Sequence, residues 1–344
     1  MIPYSRHIVD DQDIKSVLKT LKSNFLTQGK KLIDFENRLC KKFYSKFSVG
    51  FNSATSALHI SCLALGIKKG DIVWTCTNSF VASSNCALYC GAEVELIDID
   101  INTFNINIVD LEEKLTIAKK KNKLPKLIIP VHFAGLPCDM KKIYSLSLKF
   151  GFKILEDASH AVGSKYFNEK IGNCKYSDIA VFSFHPVKII TTAEGGAALT
   201  NNFKLSERLR LFRNHGITRN KKFLKNKNYP EWYYEHIGLG FNYRLNEIQS
   251  ILGISQLDKL NKWISLRQKI FSNYSISLKN LPLILPKKIK NFKSSNHLYV
   301  IQTLDKSGKE RNKLYKFLRK NNVESNVHYI PIHTHPFYKK LNLK

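Results

Sequence analysis

Residues 178–196 read DIAVFSFHPVKIITTAEGG and contain the lysine around which the chain can be organised. The run from Ile179 to Phe184 is mostly apolar, which predicts a buried strand. Lys188 follows it, flanked by valine and isoleucine, and a Glu-Gly-Gly turn leads into a second apolar strand. Dehydration lowers the pKa of an ammonium group, and the neutral amine condenses with carbonyls. Lys188 therefore fits a Schiff-base lysine, and it also fits a surface lysine at a strand end in a lysine-rich chain.

Length and composition are those of a globular enzyme or binding protein. The chain has 344 residues, of which 43% are apolar and 24% are charged, enough for a large core and two domains. We predict a large domain over 1–250 and a small one over 251–344. The N-terminus lacks a signal pattern, and no run approaches the roughly 20 apolar residues of a membrane helix. We therefore expect a cytoplasmic protein without a membrane partner.

The net charge of +28 has two interpretations. One is a nucleic acid or another polyanion as partner, and the other is a lysine-rich surface. The lysines are spread along the chain in short clusters, and no zinc finger, RRM signature or basic aromatic stripe accompanies them. This favours the lysine-rich surface and predicts no specific nucleic-acid partner.

Cysteine and histidine give no sign of a metal site. The seven cysteines show no CxxC motif and no metal-ligand spacing with histidine. Most lie in apolar segments and are interpreted as small core residues in a reducing compartment. His328, His333 and His335 have no acidic or thiol companions, so we interpret them as loop histidines.

Strands and helices alternate through about residue 200, which predicts an α/β fold with a mostly parallel sheet covered on both faces. Amphipathic helices are predicted at 10–23 and 31–45, and a strand at 126–133. Another helix follows the small polar residues at 52–56. Its first N–H groups and its dipole favour a phosphate there, although an ordinary N-cap gives the same pattern.

Glu156 and Asp157 end a strand predicted over 152–157. Ligands bind at the carboxyl ends of strands in open α/β sheets, and an acidic turn or helix cap is the alternative. After residue 203 the pattern changes. We predict a helix at 203–214, an unassigned polar and aromatic connection at 217–236, a long helical stretch at 244–275, and a small α/β unit with strands at 297–304 and 324–330 around a helix at 309–321.

Four of these features together fit one cofactor, pyridoxal phosphate (PLP). Its phosphate needs N–H donors, which the helix start at 52–56 offers, and its ring needs an apolar partner such as Phe80. Its pyridine nitrogen needs a carboxylate, such as Asp157, and its aldehyde needs a lysine, such as Lys188. With the motifs FNSATSAL, SFVASSN, EDASHAVGS, SFHPVKIITTAEGGA, FNYRLNEIQS and VHYIPIH, the chain resembles the DegT/DnrJ/EryC1/StrS sugar aminotransferases from about Pro3 onward. The resemblance implies PLP-dependent transferase fold type I, the aspartate aminotransferase-like fold, with a small C-terminal α/β domain.

The resemblance also implies a role for individual residues. Lys188 would carry PLP as a Schiff base and move the proton, Asp157 would pair with the pyridinium nitrogen, and His160 would lie beside the ring. Phe80 is expected to stack on the ring. The other implied residues are Ser53, Ala54, Thr55, Ser183 and, from a partner subunit, Asn242 for the phosphate, and Tyr4, Asn24, Phe25, Leu26, Thr27, His185, Asn326, Val327, His328 and Tyr329 for the nucleotide sugar.

The implied reaction moves an amino group from L-glutamate to C4 of a UDP-4-keto-6-deoxy-N-acetylhexose, in a homodimer with a shared active site. The motifs IPYS, LTQGK and SSNHLY are most similar to family members of pseudaminic acid biosynthesis. The alternatives are a sugar of the bacillosamine, legionaminic acid or perosamine type, and a non-catalytic PLP-fold regulator. Relatives that remove a 3-hydroxyl carry histidine in place of Lys188, which argues against that reaction. The chain ends at Lys344, earlier than is usual in the family, so we expect a truncated small domain.

Overall fold

The computed structural model describes residues 1–225 and 228–341. Residues 226–227, inside the connection predicted at 217–236, and residues 342–344, at the end of the predicted small domain, lie outside the described residues. The strands are β1 (Phe47–Phe51), β2 (Ile72–Cys76), β3 (Glu93–Ile97), β4 (Leu127–Ile129), β5 (Lys153–Asp157), β6 (Lys165–Tyr166), β7 (Glu169–Lys170), β8 (Ile179–Ser183), β9 (Gly196–Thr200), β10 (Ile217–Thr218), β11 (Glu235–His236), β12 (Leu283–Ile284), β13 (Phe292–Lys293) and β14 (Gln302–Thr303).

The helices alternate with the strands in the first part of the chain and dominate the second. They are α1 (Asp11–Leu21), α2 (Lys30–Phe43), α3 (Ala54–Ala64), α4 (Ala82–Leu88), α5 (Ile108–Lys120), α6 (Met140–Phe150), α7 (Phe203–Arg213), α8 (Glu247–Asp258), α9 (Leu260–Ser277), α10 (Lys309–Lys320) and α11 (Pro336–Lys340), with short 3₁₀ turns at Phe133–Gly135 and Ile332–Thr334.

The central sheet has the strand order β1-β9-β8-β5-β4-β2-β3. Strand β9 runs antiparallel to both of its neighbours, and the remaining pairs are parallel, which confirms the predicted mostly parallel sheet. Because β5 and β8 are adjacent and parallel, with Asp157 opposite Val181, their carboxyl ends meet at one edge. The turn that carries Lys188 follows β8 at that edge.

Helices cover both faces of the sheet, and this explains why the strands are apolar throughout. Along β8, Val181 belongs to the core that contains α3 and α4. Its neighbour Phe182 belongs to the core on the α2 face, where its ring centroid lies 4.7 Å from that of Phe43. Successive strand side chains point to opposite faces, so a strand covered on both sides shows no polar alternation. The buried strand predicted after Asp178 is confirmed.

Helix α1 lies on α8 through its polar face. Ile14, Leu18 and Leu21 have the spacing of one helix face, and all three are exposed. On the other face the buried Asp13 carboxylate accepts a hydrogen bond from Gln256 at 2.8 Å and pairs with Lys259 at 2.9 Å. The apolar face of α1 is therefore left open to another surface.

The bounds of three predicted elements need correction. The stretch at 244–275 forms two helices, α8 and α9, which meet at Lys259. The strand predicted at 126–133 is limited to β4, and the strand at 297–304 is limited to β14. The apolar run continues past the end of β4 at Ile129, and it precedes β14, which begins at Gln302.

The strand predicted at 324–330 is wrong. This segment has irregular structure, because its polar groups bond to separate segments of the chain. The Glu324 carboxylate accepts the backbone N–H of Tyr4 at 3.2 Å, and the backbone N–H of Tyr329 donates to the Asn78 side chain at 2.9 Å. The segment thus connects the N-terminal residues around Tyr4 to the loop that contains Asn78, and it does not extend a sheet.

The connection at 217–236 is a hairpin closed by β10 and β11, and Tyr229 stacks on Tyr233 with ring centroids 4.0 Å apart. Strand β13 pairs with β6, so chain beyond residue 250 packs directly on chain before it. The domain division at residue 250 stays a prediction. No helix among the described residues is long and apolar enough to span a membrane.

Glu36 forms a buried ion cluster that ties α2 to α7 and β1. Its carboxylate accepts from the Gly50 N–H at 2.8 Å and pairs with Arg210 at 2.6 Å and Arg213 at 2.7 Å. We predict that Glu36→Ala lowers the free energy of unfolding by about 3–5 kcal/mol, because it leaves buried cationic groups unpaired. Denaturant unfolding measures this loss.

Arg38 on the same helix provides the control. Its ion pair with Asp258, at 2.8 Å, is about half exposed on both sides, so Arg38→Ala should cost about 1 kcal/mol or less. Equal losses for the two variants would contradict the importance assigned to the Glu36 cluster.

Candidate active site

Lys188 lies in the turn between β8 and β9, and its backbone N–H donates to the His185 carbonyl oxygen at 2.9 Å. Its side chain reaches the cleft but is closely enclosed. Burial lowers the pKa of the Lys188 ammonium to about 8, against the opposing effect of the Asp157 carboxylate. Since a shift of this kind enlarges the neutral fraction of the amine near neutral pH, Lys188 has the property required of a nucleophilic lysine.

Asp157 ends β5 and is 5% exposed. One of its oxygens accepts the Ser83 hydroxyl at 2.6 Å, and the other accepts the Ser159 N–H at 3.1 Å. The Ser79 hydroxyl in turn lies 2.8 Å from that of Ser83. These bonds fix the orientation of a buried carboxylate, and each of its oxygens keeps further capacity to accept a hydrogen bond.

Glu156, which the sequence groups with Asp157, serves another purpose. Its carboxylate lies 2.7 Å from His132 Nε2 and also accepts the Ser177 hydroxyl. Because adjacent strand residues point to opposite faces, the two carboxylates occupy different cores. Of these two carboxylates, Asp157 is the one whose charge raises the pKa of Lys188 against the effect of burial.

His160 is a buried imidazole held in one tautomer. Its Nδ1 accepts the backbone N–H of Ala134 at 3.3 Å, so Nε2 carries the hydrogen and donates to the Tyr329 hydroxyl at 3.2 Å. Burial holds the pKa of His160 well below its usual range, and the charges of Lys188 and His328 lower it further. The imidazole is therefore neutral and orients through hydrogen bonds and packing.

The N-terminus of α3 faces the start of β9 at very short range. Ser53 caps the helix by accepting the Ser56 N–H at 3.0 Å, and Ala54 and Thr55 follow in the first turn, where N–H groups lack intrahelical partners. A Cβ atom at Gly196 would lie 2.6 Å from the backbone nitrogen and Cα of Ala54. Ser183 is opposite Gly196 in the sheet. Because residue 196 is glycine, β9 can approach the start of α3, and the Ser183 hydroxyl comes to the same region as the free N–H groups of Ala54 and Thr55.

A cleft of about 1520 Å3 extends from Lys188, and its lining includes Tyr4 and the residues at 326–329. The Tyr4 hydroxyl lies 2.7 Å from His328 Nε2, and the two rings stack with centroids 5.4 Å apart. Burial raises the pKa of Tyr4 to about 12 and lowers the pKa of His328 to about 4. Both side chains are neutral near pH 7, which suits contacts with sugar hydroxyls.

Several predicted site residues lie outside this cleft lining in the part of the chain that the structure describes. His185 is exposed, with Nε2 3.8 Å from a Glu194 oxygen. Phe80 is 59% exposed, and its ring centroid lies 6.3 Å from that of Tyr329, at the edge of the cleft.

The remaining predicted residues, at 24–27 and Asn242, are exposed on the surface. Residues 24–27 are exposed in the loop before α2, where the Leu26 carbonyl oxygen accepts the Glu247 N–H at 3.0 Å. Asn242 is also exposed, and its backbone bridges to Asn214. The single chain therefore does not unite all of the predicted residues in one cleft.

The structure adds residues that the sequence analysis did not single out. Ser83 bonds to Asp157, and Ser79 bonds to Ser83. Both serines belong to the motif SFVASSN, where their spacing of four residues could have indicated that the two hydroxyls lie together. His297, within SSNHLY, is buried with its ring centroid 4.5 Å from that of His160. Arg267 lines the cleft in α9 and has no motif around it. Within 1–225 and 228–341, no cluster of three or more His, Cys, Asp or Glu side chains could hold a metal ion.

The chain has the fold of the PLP-dependent transferases of fold type I. The chain belongs to the DegT/DnrJ/EryC1/StrS aminotransferase family, whose profile matches residues 7–344. It is 40% identical to the UDP-4-amino-4,6-dideoxy-N-acetyl-beta-L-altrosamine transaminase of Campylobacter jejuni, over 99% of this chain and 87% of that protein.

Solved structures agree with this assignment. Helicobacter pylori PseC, an aminotransferase involved in the biosynthesis of pseudaminic acid, has 36% identity and a TM-score of 0.89 over 99% of this chain and 88% of its own. The Streptococcus pneumoniae protein Spr1654 in its PLP form has 28% identity and a TM-score of 0.88 over 99% and 88%. The prediction of a sugar aminotransferase is confirmed.

We predict that the Lys188 amine of the cofactor-free protein titrates near pH 8. Its ammonium form predominates below that pH and its neutral form above it, so labelling by an amine-specific reagent should reach half of its maximum near pH 8. Peptide mass spectrometry across a pH series measures this profile. The exposed Lys19 is labelled in the same series as a reference. A Lys188 profile that coincides with that of Lys19 would contradict the prediction.

Proposed function

We propose that this protein uses PLP to transfer the amino group of L-glutamate to C4 of a UDP-4-keto-6-deoxy-N-acetylhexose, with 2-oxoglutarate as the second product. The observation that carries the proposal is the enclosed Lys188 amine, with its pKa lowered to about 8, near the buried Asp157 carboxylate. The names of the Campylobacter jejuni and Helicobacter pylori relatives support a sugar of the pseudaminic acid route.

The residues present fit PLP. The close approach at Gly196 leaves no room for a Cβ atom and places β9 against the start of α3, so the N–H groups of Ala54 and Thr55 and the hydroxyl of Ser183 would hold the phosphate. Asp157 would keep the pyridine nitrogen protonated, and Lys188 would bind the cofactor covalently. When bound, PLP supplies an electron sink for the negative charge that develops at the reacting carbon.

Lys188 would also move the proton between the two carbons that exchange the amino group. An amine with a pKa of about 8 accepts and returns a proton efficiently near neutral pH. The hydroxyl of Ser83 holds Asp157 in place, so the carboxylate need not reorganise as charge develops. Neutral His160 would position the ring without adding a competing charge.

The sugar would enter the cleft beside Tyr4 and His328. Their hydrogen-bonded pair, 2.7 Å apart, offers a neutral donor and acceptor and an apolar stacked surface, which together suit a pyranose ring. Residues 326–329 form the same wall. Exclusion of water by this wall would strengthen every polar contact at the reacting carbon.

We further propose that the active unit is a homodimer with shared sites. Residues 24–27 and Asn242 are exposed and lie outside the cleft lining of their own chain. Ile14 and Leu18 in α1 and Phe25 after it are exposed apolar side chains, and exposed apolar groups of this size are common in protein interfaces. A second copy would bring these residues to the cleft of the first.

Mixing two inactive variants tests the shared site. We predict that Lys188→Ala and Asn242→Asp are each inactive alone, the second because a carboxylate repels the phosphate. Hybrid dimers contain one intact site, so random subunit exchange should restore about a quarter of wild-type activity. A monomer by light scattering, or exchanged dimers without recovered activity, would refute the shared site.

The sugar is tested with NMR-monitored amino transfer from L-glutamate to two UDP-4-keto-6-deoxy-N-acetylhexoses that differ at C5. We predict product from the L-arabino epimer and none from Lys188→Ala, which can neither hold the cofactor nor move the proton. Product from the D-xylo epimer alone would assign a bacillosamine or legionaminic acid type of sugar. A holoenzyme that glutamate leaves unchanged would refute transamination and support a regulator.

A further inference from the structure

Arg267 is a half-buried cation in the cleft wall. It lies in α9, and its Nη1 donates to the carbonyl oxygens of His297 at 3.0 Å and Asn296 at 3.3 Å. No ion pair of the described residues includes Arg267, and no hydrogen bond among them occupies its Nε or Nη2. Burial lowers the pKa of Arg267, although an arginine side chain stays charged. Such a charge is stabilised when a ligand supplies the missing anion.

Three acidic residues line the same cleft, and each has a hydrogen bond to a group other than Arg267. The Glu324 carboxylate accepts the Tyr4 N–H at 3.2 Å and lies 3.6 Å from Arg319. The Asp305 carboxylate accepts the Ser307 hydroxyl at 2.8 Å, and the Asp98 carboxylate accepts the Ile99 N–H at 2.8 Å. Among the described residues, none of these carboxylates forms an ion pair with the guanidinium, which leaves its Nε and Nη2 groups for a ligand in the cleft.

Arg267 and Lys188 line the same cleft. Arg267 donates to the His297 carbonyl oxygen at 3.0 Å, and the His297 ring has its centroid 4.5 Å from that of His160. Burial holds the pKa of His297 well below its usual range, and the charges of His160, Lys188 and Arg267 lower it further. A ligand that reacts at Lys188 and carries a carboxylate therefore enters the cleft that Arg267 also lines.

We propose that Arg267 binds a carboxylate of the amino donor. The planar guanidinium presents paired N–H donors that match the two oxygens of a carboxylate. The sugar diphosphate is the other substrate oxyanion, and the exposed cations Lys306 and Arg311 line the same cleft. A diphosphate is strongly hydrated and can bind the exposed cations without losing much of its water. A single carboxylate has less charge to desolvate and matches the half-buried guanidinium of Arg267. This inference rests on the proposed transamination.

The first measurement is calorimetric binding of glutarate, a dicarboxylate without an amine, to the holoenzyme. We expect Arg267→Gln to weaken binding by about tenfold or more, which is the effect of losing a charge-assisted bidentate contact. Arg267→Lys keeps the charge and loses the paired N–H donors, so its affinity for glutarate should lie between those of wild type and Arg267→Gln. Arg311→Gln, at an exposed cleft arginine, should bind glutarate like wild type.

The second measurement separates the two half-reactions in stopped flow. Arg267→Gln should raise the glutamate concentration needed for cofactor amination by about tenfold and leave the sugar half-reaction within about twofold of wild type. Loss confined to the sugar half-reaction would overturn the proposal and assign Arg267 to the diphosphate. Equal loss in both half-reactions, with a lowered melting temperature, would overturn it in favour of a structural role through residues 296–297.

The remaining outcomes are also decisive. If Arg267→Gln does not fold, Arg267→Lys carries the test, and glutarate binding equal to wild type would overturn the proposal. If glutamate aminates the wild-type cofactor and the Arg267 variants need the same glutamate concentration, the role of Arg267 is refuted and the proposed transamination stands. If glutamate leaves the wild-type cofactor unchanged, the proposed transamination fails first.

Discussion

The interaction between Lys188 and Asp157 is the constraint on which the rest of the structure depends. Burial lowers the pKa of the lysine to about 8, and the carboxylate opposes that shift. A buried carboxylate without partners would be strongly destabilising. The Ser83 hydroxyl and the Ser159 N–H donate to Asp157 and hold it in place, and the Ser79 hydroxyl bonds to that of Ser83. Burial and the fixed charge of Asp157 thus act in opposite directions on the pKa of the Lys188 amine.

This balance requires several backbone segments to meet within a few ångströms. The ends of β5 and β8 are neighbours in the sheet, and β9 starts against the first turn of α3 because residue 196 is glycine. The same approach that leaves no space for a Cβ atom places free N–H groups beside the strand ends. The proposed phosphate site and the position of the amine are therefore consequences of one packing arrangement.

The two ends of the chain complete the cleft around this centre. Ile2 bridges to Val323, and this brings Tyr4 to His328 in the wall of the cleft. Across the cleft, Arg267 holds residues 296–297 by their carbonyl oxygens. The net charge of +28 is consistent with a lysine-rich surface around a site for anionic substrates, and its cations differ in function according to their burial.

Hydrophobic periodicity along the chain is enough to predict the α/β alternation and the buried strand before Lys188, because it encodes burial, and the motifs indicate Lys188, Asp157 and the α3 N-terminus as candidate site residues. The position of residues 24–27 outside their own cleft and that of Arg267 in the cleft wall follow from the tertiary structure alone. A polar side chain acquires its partners from segments far away in the chain, and in a chain rich in lysine and arginine no local pattern distinguishes a half-buried cation from an exposed one.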